Sequence, residues 1–331
     1  MRASRRTLLA TGAGVSAQLL VPNLVRAQET YPSRPLRIVV AVPAGGPTDI
    51  MARLIGQKLS VALGQPVIVE NRPGAGQTIG TAAVARAPAD GYTLFMCTQT
   101  FAVNPSIFPS LPYDSQKDFV PVALITRLPY GVFVHGKLPI NSLRQLIDHA
   151  KRNPGKLNYA STGASSQPRI GGELFKLRTG TDLLHVVYNG SAPAIVSLAS
   201  GETQVMFHDF LALIPQLQNG NIRALAVASK GRLPVAPDVP SVAELGLSDL
   251  PGLELTALFG VLMRSGTPKP IVDLLNAEIN KVLADPEVRQ RMVRDGAELI
   301  EPQTPEQFGE FIRAQAKELG GIVRAANIKV E

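Results

Sequence analysis

The stretch Leu36–Arg53, LRIVVAVPAGGPTDIMAR, constrains this chain more than any other. Leu36 to Val42 is apolar and rich in β-formers apart from Arg37, the pattern of a strand buried on both faces of a parallel sheet. Pro43 stops the run, and Ala44-Gly45-Gly46-Pro47 supplies a turn with two residues free of Cβ. Thr48 and Asp49, followed by Ile50, Leu54, Ile55 and Leu59 at helical spacing, open a helix that either of them could cap. Strand, glycine turn and helix start place unpaired backbone N–H groups where a carboxylate or phosphate can approach them.

A second arrangement of this kind follows. Leu157 to Ala160 reads as a strand, Ser161-Thr162-Gly163-Ala164-Ser165-Ser166 as a small-residue loop, and Arg169 to Thr179 as a helix. Two such loops in separate α/β segments read as the two lips of a cleft.

The rest of the chain supports an α/β assignment. Strands are expected at 67–70, 92–97, 120–134, 185–188, 204–207, 222–228 and 253–263. Helices are expected at 81–87, 142–152, 194–200, 270–283, 286–295 and 305–326, the last three opened by Pro. Proline-rich residues 101–118 read as irregular. Alternating strands and helices imply right-handed crossovers and ligand loops at the carboxyl ends of the strands, where Gln99 falls.

The N-terminus carries the address. Arg2, Arg5 and Arg6 precede an apolar segment from about Leu8 to Val21, and Val25-Arg26-Ala27 offers a cleavage site, so residues 1–27 read as a twin-arginine-like export signal cut near Ala27. The signal holds four of the 33 Lys and Arg, which leaves 29 against 26 Asp and Glu, a net of +3. The basic balance therefore belongs to the signal, and no basic block with interleaved aromatics suggests nucleic acid. One cysteine, Cys97, says nothing about redox compartment, and the four histidines lack ligand spacing.

Over the whole mature chain the residues resemble the periplasmic solute-binding receptors of tripartite tricarboxylate transporters, the Bug receptors. The resemblance rests on Tyr31-Pro32-Ser33-Arg34-Pro35, Pro43 to Asp49 with Ala52-Arg53, Glu70 to Gly76, Asp90 to Leu94, Asn158 to Gly163, Tyr188 to Pro193, Ala224 to Val227, Pro237 to Pro240 with Glu244 to Gly246, and Gly266 to Pro268. It implies a two-domain periplasmic-binding-protein (Venus flytrap, type II) fold with two crossover strands as hinge. Domain one would span 31–128 and 255–331, and domain two 129–254. The cleft would close on a small carboxylate gripped by the loops of Ala44, Gly45, Gly46, Thr48 and Asp49 and of Ser161, Thr162, Gly163, Ser165 and Ser166. Tyr188 belongs to a matched motif.

Departures bear on ligand choice. Gln77 and Thr78 stand where the family commonly has Gly-Asn, narrowing the pocket, and His208-Asp209 replaces Asp-Asn. Arg169 stands where His is common; it is either a cation for a second carboxylate or a solvated helix-start residue. The expected partners are the ligand and membrane permease subunits, with no cofactor, no metal, no nucleic acid and a monomeric state; a sensor kinase is the alternative client.

Two enzyme readings compete. Gly74-Ala75-Gly76-Gln77-Thr78-Ile79-Gly80 mimics a dinucleotide fingerprint with its spacing off by one. Ser165 or Ser166 with His185 or His208 would make a hydrolase, but Gly163-Ala164-Ser165-Ser166-Gln167 lacks the closing glycine of a nucleophile elbow.

Overall fold

The computed structural model describes residues 30–163, 165–245 and 256–329, so the export signal of residues 1–27 lies outside the described residues. Strand β1 (Leu36–Val40) sits between β2 (Val67–Asn71) and β3 (Thr93–Thr98), parallel to both. Four of its five residues are buried, as an apolar run with a single Arg requires. Helix α1 (Pro47–Leu63) starts one residue earlier than Thr48. Pro47 has no N–H to satisfy and a pre-set φ, so Gly46 becomes the N-cap residue and neither Thr48 nor Asp49 does.

Helix α2 (Thr78–Ala85) also begins early, after a 3₁₀ turn at Ala75–Gln77 in which Ala75, Gly76 and Gln77 all have positive φ. The Thr78 hydroxyl donates to Ala75 O and Asn104 Nδ2 to Gly76 O, so side chains hold the strained turn. Helix α3 (Gln99–Ile107) occupies the stretch expected to be irregular, with Pro105 inside it. Thr98 caps it, and Phe101 packs into a buried aromatic group with Phe95, Tyr113 and Phe119, so tertiary packing overrides the proline.

Strand β4 (Phe119–His135) runs through both halves of the sheet. Its first part, Phe119–Pro129, pairs antiparallel with β9 (Thr256–Arg264), which also pairs antiparallel with β3. Its second part, Tyr130–His135, pairs with β7 (Val205–Asp209) and β8 (Ile222–Val227). Strand β5 (Asn158–Ser161) lies parallel between β6 (Leu184–Val187) and β7. The halves therefore read β2-β1-β3-β9-β4 and β4-β7-β5-β6, with β1 and β5 each at the centre of a parallel triple. Their carboxyl ends are the places where such a topology receives ligands.

Helix α4 (Leu143–Arg152) follows β4; α5 (Gln167–Thr179) and α6 (Ser191–Ser200) follow β5 and β6; and the short α7 (Ile214–Gln218) was not foreseen. The tail forms α8 (Lys269–Ala284), α9 (Pro286–Arg294) and α10 (Pro305–Ala325), the last opened by a capping box of Thr304 and Gln307. Val103 and Ile107 of α3, Ile170 of α5 and Leu319 and Val323 of α10 share one buried cluster. Cys97 is buried in β3, and desolvation pushes its thiol well above the ordinary value, as for a structural residue.

Gly260 of β9 admits no side chain, because a Cβ there would lie 2.2 Å from Phe308 Cζ. Gly260→Ala is expected to cost about 1–3 kcal/mol by overpacking and to lower the melting temperature by several degrees. Gly231→Ala, with nothing within 4 Å of its Cβ position, should leave it unchanged; equal melting temperatures for the two variants would contradict this packing.

Candidate functional site

The first lip is built by Asp49. At the third position of α1 its Oδ2 accepts the Gly45 N–H at 3.0 Å and Arg53 Nε at 2.9 Å, while Oδ1 accepts Arg53 Nη2 at 2.9 Å and Asn71 Nδ2 at 3.0 Å. Asn71 Nδ2 also donates to Val42 O, tying the strand end to the turn. Burial alone would raise the Asp49 carboxyl, but the bonds from Arg53, Gly45 and Asn71 outweigh it and hold it below the usual 3.8. Gly45 and Asp49 thus face each other rather than the cleft, whereas Ala44, Gly46 and Thr48 line the cleft wall.

The second lip is similar in design. Ser161 is fully buried below the loop with its Oγ 2.6 Å from His185 Nε2, and the Ser166 hydroxyl accepts the Thr162 N–H at 3.3 Å. Thr162, Gly163, Ser165 and Ser166 line the wall, and Ser161 does not. Gly163 takes φ 142°, which a residue with a Cβ rarely adopts.

Both lips border one cavity of about 450 Å³, within the range of small-molecule sites. Its walls approach closely: a Cβ at Gly46 would be 3.7 Å from Ser191 Oγ, one at Gly190 would be 3.2 Å from Pro43 Cγ, and Thr100 Oγ1 donates to Ser165 O at 3.3 Å. Four helix starts without a side-chain cap open on it, those of α1, α2, α5 and α6, whose N-cap residues Gly46, Gln77, Ser166 and Gly190 all line the wall. By contrast α4, α9 and α10 are closed by Ser142, Asp285 and Thr304. Helices α7 and α8 are uncapped too, so it is the convergence on one cavity that makes the difference. Among the described residues the wall contains no Lys or Arg. An anion entering such a wall would meet backbone dipoles and N–H groups rather than a Lys or Arg ion-pair partner.

The other expected residues divide. Gln77 lines the cavity with its Oε1 accepting from Thr98, as do Tyr188 and Asp209. Thr78 holds the strained turn, and Gln99 is buried with Nε2 directed to Gln315 of α10; neither reaches the wall. Arg169 is only 8% exposed and lies off the wall, so it is neither a solvated helix-start residue nor a wall cation. The helix start at Ser191 was not singled out, although Asn189-Gly190-Ser191 was legible as a helix-starting turn.

His208 links two walls. Its Nε2 lies 3.0 Å from Ser191 Oγ and its Nδ1 3.0 Å from Asp209 Oδ2, with Tyr130 stacked on the ring. Burial would depress the imidazole, but Asp209 outweighs it and the net direction is upward; burial and Asp209 together push the Tyr130 phenol well up. The serines weighed for a hydrolase pair with neither histidine: His185 is on Ser161 and His208 on Ser191. No group of three or more His, Cys, Asp or Glu among the described residues could hold a metal, and no described helix is long and apolar enough to cross a membrane.

Comparison with known proteins shows the family and the fold. The model of the tripartite tricarboxylate transporter family receptor matches residues 51–328. BugT of Bordetella pertussis is 38% identical over 305 residues, covering 92% of each chain. The structure of R. palustris Rpa4515 with adipate superposes with TM-score 0.86 at 33% identity, over 91% of this chain and 100% of that one. The periplasmic binding protein BugD does so with TM-score 0.84 at 33% identity, over 91% and 100%. The fold is that of a two-lobed periplasmic binding protein.

Because the Asp49 carboxyl is held below its ordinary value, it stabilises the folded chain above about pH 4 and that contribution is lost as pH falls through the folded value. Asp49→Asn is expected to cost about 1–3 kcal/mol at pH 7. The gap between the variant and the parent should narrow progressively in chemical denaturation as pH falls below about 4; a gap that is constant with pH would contradict the buttress.

Proposed function

The chain belongs to the tripartite tricarboxylate transporter receptor family, and from that premise we propose that it captures a small carboxylate between its lobes in the periplasm and delivers it to permease subunits of such a transporter. In this reading residues 1–27 direct export and are removed near Ala27. The lobes are 31–128 with 255–331 and 129–254, and one crossing between them is where β4 passes from β9 to β7. The protein works as a monomer without cofactor.

The observation that carries the reading is the convergence of four uncapped helix starts, from both half-sheets, on one cavity with no Lys or Arg in its wall. Adipate in a relative of the same fold is an acid of the expected class. The magnitudes suffice: charge-assisted hydrogen bonds contribute about 1.5–3 kcal/mol each, a helix start about 0.3–1 kcal/mol, and micromolar affinity needs about 8 kcal/mol. Three or four donors reach that figure.

Ser191, His208 and Asp209 stand in the order used by acyl-transfer relays. In such relays the carboxylate sits behind the imidazole to orient it, whereas Asp209 itself faces the cavity. The row is therefore read as part of the binding wall, and the protein as a receptor rather than an enzyme. Delivery to a sensor kinase uses the same capture step; permease or kinase genes beside this one separate the two clients.

Thermal-shift screening of the mature protein against mono-, di- and tricarboxylates tests the reading, with a rise of several degrees expected for at least one acid. Gly46 has φ −86° and ψ 173°, open to any residue, so Gly46→Leu can fold while filling the cavity beside Ser191. By calorimetry it should lose at least a hundredfold in affinity with an unchanged melting temperature. No stabilising acid, or undiminished binding by Gly46→Leu, would refute the proposal.

A further inference from the structure

Three side-chain polar atoms in the cavity wall are buried and have no hydrogen-bond partner among the described residues: Ser165 Oγ, Tyr188 OH and Asp209 Oδ1. The first two are hydroxyls and can give or take a hydrogen bond, so they suit a ligand carboxylate. An ionised carboxylate oxygen can only accept. Asp209 is 2% exposed, and its other oxygen is already 3.0 Å from His208 Nδ1. His208 in turn is committed through Nε2 to Ser191, so the chain's own nearby donor has no proton left for Oδ1. A buried acceptor of this kind is costly to leave unmet, and it faces the space the ligand enters.

We propose that Asp209 Oδ1 accepts a hydrogen bond from the ligand, so that this receptor selects a carboxylate that also carries a donor, an amino acid or a hydroxy acid, over the plain acid of the same skeleton. The proposal rests on the carboxylate reading above and narrows it. The helix starts and the two hydroxyls take the ligand's anionic end; Asp209 takes its donor. No Lys or Arg in the wall offers a fixed partner to a second carboxylate, and Asp209 stands in place of one. Tyr130 is stacked on the His208 ring, and the Asp209 oxygen that His208 engages is Oδ2, which leaves Oδ1 as the oxygen without a partner among the described residues. An ammonium and a hydroxyl both meet the requirement, and they differ in whether the Asp209 charge matters.

The test is calorimetry on the mature protein with two matched series: norvaline, 2-hydroxypentanoate and pentanoate; and glutamate, 2-hydroxyglutarate and glutarate. In at least one series a donor-bearing member should bind about tenfold or more tighter than the plain acid, the usual consequence of leaving a buried acceptor unmet. Asp209→Ala should bring that ratio to within about twofold. Asp209→Asn keeps the shape and an acceptor, covers the case where the alanine variant does not fold, and should reduce the amino-acid preference several-fold while sparing the hydroxy-acid preference. Plain acids that bind as tightly as their donor-bearing partners, ratios unchanged in both variants, or no binding in either series would overturn this inference. Stabilisation by other carboxylates in the thermal-shift screen would leave the receptor reading standing, whereas a wholly silent screen would remove both.

Discussion

Backbone N–H groups at a helix start must find an acceptor, and this chain leaves four such starts uncapped around one cavity. That constraint organises the site. At α1 the residue that could have capped the helix, Asp49, is instead turned inward, where it braces the Pro43–Gly46 turn through Gly45, Arg53 and Asn71. The turn is thereby fixed without consuming the N–H groups that face the cavity. Arg53 neutralises Asp49 at a distance from the wall, so the carboxylate that braces the first lip does not repel an anion at that lip, and the wall holds neither Lys nor Arg. A ligand held by dipoles and hydrogen bonds can bind at micromolar strength and still be released, which suits a carrier.

The frame around the site follows from β4. One strand of 17 residues belongs to both half-sheets, so β1 and β5, the strands that feed the two lips, are positioned by a common element. Small residues face each other where the walls meet: Gly46 against Ser191, Gly190 against Pro43, and Gly76 against Ser165. Away from the cavity, α3 and α10 share a buried apolar cluster with Ile170 of α5, a second place where the halves touch. Contacts this limited are compatible with population shift by a ligand that bridges the lips.

Much of the scaffold was legible because it is periodic. The apolar run of β1, the glycine turn, the two small-residue loops and the Pro-initiated tail helices are local patterns, and their positions held to within a few residues. What local pattern does not encode is direction and partner. Pro105 suggested irregular chain, yet the aromatic packing of Phe101 sustains a helix there. Positive φ at Ala75 and Gln77 has no composition signal beyond neighbouring glycines, so α2 was placed three residues late. The antiparallel pairing of β9 between β3 and β4 depends on long-range register. In the site itself, residue type alone could not show that Asp49 and Ser161 point away from the cavity, that Arg169 is buried off its wall, or that His208 reaches Ser191. These are tertiary facts carried by residues far apart in the chain.

The central claim is that amides from both lips hold the same anion, and ¹H–¹⁵N correlation spectra of the mature protein during a titration with the acid found to stabilise it most test this directly. The amide signals of Ala44 and Gly46 and that of Gln167, the first residue of α5, should move together and saturate at the same ligand concentration. Movement confined to one lip, or none in either while the acid still binds, would contradict the account.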